Sequence, residues 1–180
     1  TGGGMAGITE SRKLEILANL FQNRLMLAMR EKLGAAYAPQ VSNSWPEDLE
    51  NGGGLMALAQ LQPAAVPMFF QTADEIAANL IARPPSADEL ERVTEPLRQQ
   101  ITRASTSSAF FMYQLEGATE DPRKLGAIRS ILPDYTRTTP AEMQALARKY
   151  LVRGKSWRVA ILPESAPATA GGRSSGAEGR

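Results

Sequence analysis

Two residue types are missing from this 180-residue chain: it contains no histidine and no cysteine. Without cysteine there is no disulfide framework, no thiolate nucleophile, and no cysteine-ligated zinc or iron–sulfur site. Without histidine the commonest general base and the commonest transition-metal ligand are absent, so a Ser-His-Asp triad cannot be assembled from this chain alone. What remains is carboxylate chemistry, lysine or tyrosine chemistry, hard-cation binding, or no chemistry of its own. The lack of cysteine permits an oxidising compartment without pointing to one. An excess of one charge is missing too. Lys and Arg number 20 against 19 Asp and Glu, a net charge of +1, which argues against a broad footprint for nucleic acid or an anionic membrane. Long apolar runs are also absent; none approaches the ~20 residues that a membrane span needs.

What is present suits one globular domain. The length falls within the usual single-domain range, and an apolar fraction of 43% is enough for a core and too high for disorder. The chain opens Thr1-Gly2-Gly3-Gly4 with no initiator Met and no signal-peptide pattern. The expectation is therefore a piece of a longer or processed polypeptide, with residues 1–8 as a fragment start or linker, 9–163 as the domain, and 164–180 as a Ser/Gly/Ala/Pro-rich flexible tail.

Within residues 9–163 the apolar spacing of Leu14, Leu17, Phe21, Leu25 and Ala28 predicts a helix over 9–32, with Thr9 as N-cap and Gly34 at its C-terminal cap. Residues 35–43 and 55–61 read as two strands of a hairpin, joined by a loop that contains Asn51-Gly52-Gly53-Gly54. Pro63 opens a helix to about 82, and Pro84-Pro85 stops it. Ser86-Ala87-Asp88-Glu89 reads as a capping box for a helix kinked at Pro96 that resumes toward Leu115. Residues 120–132 form a further helix with Pro122 in its first turn. Thr139-Pro140-Ala141-Glu142 is a second capping box, opening a helix to about 151. Residues 157–162 read as a third, closing strand. The class is α+β, an antiparallel sheet packed against helices.

Most candidate motifs have an ordinary structural reading that outweighs the chemical one. Gly154-Lys155-Ser156 resembles the end of a phosphate-binding loop, but Lys149 stands where the first Gly belongs, and the context runs helix-to-strand. A polar turn is the better reading. The glycines at 52–54 suit a hairpin turn better than an anion cradle. The hydroxyls of Ser105, Thr106, Ser107 and Ser108 suit local capping, since no histidine activates them. Glu47, Asp48 and Glu50 form a solvated acidic face sooner than a hard-cation site. The seven Met residues are core fillers by default.

Arg30 and Tyr37 form the one constellation that carries chemistry. Arg30 lies in the last turn of the first helix and Tyr37 at the start of the next strand, so a short junction can bring both tips to one side of the sheet edge. Arginine offers a rigid fork of donors to carbonyls or carboxylates. Tyrosine donates a neutral hydrogen bond, its ordinary pKa being ~10. Such a pair could hold a peptide backbone or stabilise a developing oxyanion. The plainer alternative is that Arg30 complements the helix dipole and Tyr37 is simply a strand residue.

Residues 25–39, LMLAMREKLGAAYAP, resemble the "LREKxGLAYS" segment in the C-terminal half-domain of pitrilysin/insulinase-type zinc metallopeptidases, the inverzincins. The likeness runs in order from Thr9 to Glu164. Glu10-Ser11-Arg12-Lys13 is similar to the start of that family's helix, and residues 63–80 to its "PENxxxAxxxI" helix. Residues 86–90 resemble "TxEEL", 138–151 resemble "VTxEDVxxxAxKYL", and 157–163 the closing strand.

The resemblance implies a LuxS/metallopeptidase-like half-domain that faces a second domain bearing H-x-x-E-H. In the family that motif's two His and a downstream Glu bind zinc, and its own Glu activates water. The opposing half-domain supplies an Arg–Tyr pair that contacts substrate and the tetrahedral intermediate, and Arg30 and Tyr37 fall on those positions. The implied cofactor is therefore zinc held by another domain, with no metal ligand in this chain. The implied partners are that H-x-x-E-H domain or a subunit carrying it and a peptide substrate, with a homo-oligomer also open.

The chain departs from the family in lacking H-x-x-E-H, in having nothing before Gly7 that could be the half-domain's first strand or strands, and in Ala35, where Leu is frequent. The alternatives are a non-catalytic scaffold or substrate-docking subunit of the same family, and a free-standing peptide-binding module. Relatives of this kind include periplasmic, mitochondrial and cytosolic forms. The resemblance leans toward the bacterial periplasm, while the residues themselves name no compartment.

Overall fold

A computed structural model describes residues 2–33 and 38–163. Among these residues, six helices and one two-stranded antiparallel sheet make an α+β unit that is mostly helical. The elements are α1 (Ile8–Leu33), β1 (Gln40–Ser44), β2 (Gly54–Leu58), α2 (Val66–Ala82), α3 (Ala87–Ala104), α4 (Ser108–Leu115), α5 (Arg123–Thr136) and α6 (Pro140–Tyr150). Single 3-10 turns at Met5–Gly7, Pro63–Ala65 and Arg153–Lys155 precede α1, precede α2 and follow α6.

α1 is the axis of the domain. Leu14, Leu17, Phe21 and Leu25 form the expected apolar stripe, but Ile16 and Leu20 are buried as well, on a second face of the same helix. The helix therefore packs on more than one side, against α2, α3, α5, α6 and the hairpin. Each fully buried leucine contributes about 1.5–3 kcal/mol relative to leaving it in water. The hairpin lies against α1 through Val41 and Leu55, and its backbone is tied down where the Val41 amide donates to Gln22 Oε1 at 2.9 Å. Its register pairs Ser42 with Met56.

Polar cross-links fasten the N-terminal half of α1 to the C-terminal helices. Arg12 donates to Asp134 Oδ2 at 2.7 Å and to Ser130 Oγ at 2.9 Å, and Lys13 pairs with Glu142 at 2.6 Å. The hydroxyls of Tyr135 and Tyr150 donate to Glu15 and Glu10. Burial, followed by the adjoining carboxylate, raises the pKa of both phenols, so they stay protonated donors.

Several boundaries differ from expectation. α1 starts at Ile8, and the Thr9 hydroxyl donates to Asp134 at 3.2 Å instead of capping the helix. α3 runs through Pro96 unbroken, and the chain breaks later, at 105–107, where the Ser107 side chain caps α4. Pro122 is the N-cap of α5, and that helix extends past Pro133 to Thr136. Residues 2–7 are packed into the domain. The Gly53 amide donates to Gly2 O at 2.6 Å, the Gly4 amide to Pro46 O at 2.8 Å, and the Trp45 indole to Gly4 O at 3.1 Å. A Cβ on Gly7 would lie 2.4 Å from the Trp45 ring, so glycine is required by the close approach.

The largest correction concerns residues 157–162, which form no strand; among the described residues the sheet has two strands, not three. Arg158 is drawn to α2 instead. Its guanidinium donates to both carboxylate oxygens of Asp74 at 2.7 Å and lies 5.5 Å from the Phe70 ring centre. Side-chain anchoring of this kind holds the segment beside α2, away from the hairpin's backbone groups.

Candidate functional site

The Arg30–Tyr37 junction is built from the end of α1 and the entry to β1. Arg30 is exposed in the last turn of α1, one residue after the buried Met29. Tyr37, with Gly34 and Ala35, lies outside the described residues. The two ends of the junction are firmly placed. Lys32 Nζ donates to the buried Thr72 Oγ1 at 3.1 Å and pairs with Glu75 at 3.2 Å, which fixes the end of α1 to α2. Hydrogen bonds from Gln71 and Lys32 hold the Glu75 carboxyl below its ordinary range, so it is anionic at neutral pH. On the far side, Gln22 holds the start of β1 through the Val41 amide.

Six residues before Arg30 on the same helix, Arg24 makes a two-point fork on Glu89. Nε reaches Oε1 at 2.6 Å and Nη2 reaches Oε2 at 2.8 Å, while Nη1 donates to Asn79 at 2.8 Å. The Arg24 hydrogen bond depresses the Glu89 pKa against the opposing effect of burial. This guanidinium is committed to tying α1, α2 and α3 together. Arg30 carries its own guanidinium on the exposed surface of the same helix.

The other sequence motifs resolve into structure. Gly53 spends its amide on Gly2 O, and Gly52 has φ +114°, the left-handed backbone that a glycine in a loop supplies. The hydroxyls of Ser105, Thr106 and Ser107 donate to carbonyls three residues back, and Ser107 also accepts from the Phe110 amide. Gly154 sits in a 3-10 turn, with the Ser156 hydroxyl donating to Arg153 O at 3.0 Å. Glu47, Asp48 and Glu50 are exposed. Among the described residues no group of three or more His, Cys, Asp or Glu could hold a metal ion. Among the described residues no helix is long and apolar enough to cross a membrane.

Two features escaped sequence reasoning. Asp74 gathers Arg153 at 3.5 Å and Arg158 at 2.7 Å, partners some eighty residues away that no local spacing reveals. An open groove of about 370 Å³ runs between α3 and α5, lined by Glu91, Thr94, Glu95, Arg98, Tyr135 and Thr138 among others. Arg98 there is neutralised by Glu95, whose carboxyl it pulls down to about 2.

No family model matches the chain, and no curated protein is significantly similar to it.

Proposed function

We propose that this chain is the C-terminal, non-zinc-ligating half-domain of a pitrilysin/insulinase-type metallopeptidase, with a LuxS/metallopeptidase-like fold. In this reading Arg30 and Tyr37 present a guanidinium and a phenol to a peptide held at a zinc site on an opposing domain. The observation that carries the reading is the setting of Arg30. It is exposed at the end of a helix that Lys32 locks to α2, immediately before the junction to β1. A donor on a rigid element is pre-aimed and loses little on binding. Its fork can hold a substrate carbonyl or the oxyanion that forms from it.

The order of elements supports the same reading: a long helix, a hairpin, paired helices, and a capped helix opening at Thr139. The test uses the polypeptide or subunit pair that carries H-x-x-E-H together with this chain. Arg30→Ala and Tyr37→Phe are expected to lower peptide turnover by about 10²-fold, as loss of an oxyanion donor does, with zinc content unchanged. Turnover equal to the parent in both variants overturns the assignment and favours the scaffold role.

A further inference from the structure

The loop between β1 and β2 is fastened from outside the hairpin. Residues 47–52 are exposed, and Leu49, the large apolar residue among them, is 62% exposed, so side-chain burial does not hold them. Three hydrogen bonds tie the loop to residues 2–4 instead: the Gly53 amide to Gly2 O at 2.6 Å, the Gly4 amide to Pro46 O at 2.8 Å, and Trp45 Nε1 to Gly4 O at 3.1 Å. The fit is close on both sides. A Cβ on Gly3 would lie 2.1 Å from Leu49 O and 2.9 Å from Asn51 N, and one on Gly53 would lie 2.5 Å from Gly2 O. Backbone atoms cannot turn aside as the end of a side chain does, so the slot admits glycine alone.

Residues 2–4 leave this slot through Gly4, whose φ of +75° is a left-handed value that glycine adopts without penalty. Past it the Met5–Gly7 turn is seated independently, with Met5 buried and contacts to α1 and α5. We infer that residues 2–4 are a latch, hinged at Gly4, that holds residues 45–53 and their carboxylates Glu47, Asp48 and Glu50 in one conformation. Withdrawing the latch frees the loop and leaves the helices packed, because the buried core is built from α1, α2, α3, α5 and α6. Segments with few buried apolar contacts open below the cost of global unfolding. Coupling of this kind is reciprocal. A partner that takes up residues 2–4 releases the acidic loop, and one that clasps the seated loop keeps the latch closed. This inference does not rest on the peptidase reading.

The test compares three variants of the full 180-residue chain with the parent. Gly3→Val fills the slot, Gly4→Ala strains the hinge without filling the slot, and Trp45→Phe removes only the indole bond to Gly4 O. Gly154→Ala, where nothing lies within 4 Å of an added Cβ, is the control. Gly3→Val is expected to speed hydrogen exchange at the Gly53 amide by about tenfold, as loss of one ordinary hydrogen bond implies. It is also expected to open cleavage after Glu47 and Glu50 by a glutamate-specific protease, with helix content and a single cooperative melt retained. Gly4→Ala and Trp45→Phe are expected to show the same two changes to a smaller degree, and Gly154→Ala neither. Cleavage of the loop is expected in turn to speed exchange at the Gly4 amide. Parent-like exchange and cleavage in Gly3→Val overturn the inference. If Gly3→Val loses its helices, Gly4→Ala and Trp45→Phe decide: faster exchange at Gly53 with helices intact upholds the latch. Parent-like exchange in both, or helix loss in both, overturns it, the second because residues 2–4 would then be part of the core.

Discussion

Arg24 and Glu89 meet through two parallel hydrogen bonds, 2.6 and 2.8 Å long, that join the first helix to the start of the third. Glu89 is the residue that a capping box would send back to the Ser86 amide. Ser86 accepts from the Glu89 amide, at 3.1 Å, while both Glu89 carboxylate oxygens accept from the guanidinium. A charged, two-point partner makes the stronger of the carboxylate's contacts. The second sequence-derived box forms completely. Thr139 accepts from the Glu142 amide at 3.3 Å, and Glu142 accepts from the Thr139 amide at 2.7 Å.

Removing the fork is expected to destabilise the domain more than an exposed ion pair would. Both side chains are about four-fifths covered. Arg24→Ala should lower unfolding free energy by about 1.5–3 kcal/mol, the range for hydrogen bonds to charged groups. Urea melts of Arg24→Ala, Glu89→Gln and the double variant check this, and a coupling energy near zero would refute it.

Loss of either capping hydroxyl should cost about the same, and loss of the Glu142 charge no more. Glu142→Gln keeps a side-chain acceptor at the cap and loses the Lys13 ion pair, with an expected cost of about 1 kcal/mol or less. Thr139→Ala removes the cap itself and is expected to cost about 1 kcal/mol. Ser86→Ala removes only half a box, with a similar single-bond cost. Thermal melts of the three variants measure the order.

Glycine substitutions give opposite signs in two places. Gly126 lies inside α5 with nothing within 4 Å of an added Cβ, so Gly126→Ala should stabilise by about 0.5–1 kcal/mol. Gly7→Ala drives a methyl to 2.4 Å from the Trp45 ring and should destabilise. Its readout is a lower melting temperature with altered Trp45 fluorescence. An unchanged melt for Gly7→Ala would mean that residues 2–7 do not pack on Trp45.

Acid should weaken the fold through Glu89 and Glu142. The side-chain hydrogen bonds from Arg24 and Lys13 depress their folded pKa values below the ordinary 4.5. A depressed folded pKa means the contribution is complete above pH 4.5 and is lost as pH falls through the lower, folded values. Melting temperature is therefore expected to be flat from neutral pH down to about 5 and to drop below 4.5. Glu89→Gln with Glu142→Gln should lower the plateau and flatten the acid slope; an unaltered slope assigns acid lability to other groups.

The sequence was most legible where the signal is local. Apolar spacing located α1 and α2, a capping box located α6, and the Asn-Gly-Gly-Gly run located the hairpin loop. Thr139 and Glu142 stand at the spacing their box requires. Signals failed where a distant residue decided the outcome. Thr9 caps nothing because α1 already starts at Ile8, and its hydroxyl turns to Asp134, 125 positions on. Glu89 gives both carboxylate oxygens to Arg24, 65 positions back. Residues 157–162 alternate like a strand, yet Asp74 draws Arg158 to a helix, and periodicity cannot say whether a partner edge is within reach. The break between α3 and α4 falls at 105–107 and not at Pro96, because a helix tolerates one missing amide where its other bonds continue. At the candidate site the position of Arg30 was legible from helix phase. The Lys32–Thr72 lock that steadies it was not, since Thr72 reads as an ordinary helix residue.

The placement of α1 sets a timetable for synthesis. Its partners Asp134, Glu142 and Tyr150 are encoded 122 to 140 residues after the helix positions they hold. A chain emerging at ~5–20 residues per second leaves the buried leucines of α1 uncovered for seconds before α5 and α6 arrive. The hairpin, α2 and α3 can cover part of α1 earlier, but its enclosure is complete only once residue 150 is free, and the nascent chain depends on whatever shelters the rest of that stripe until then.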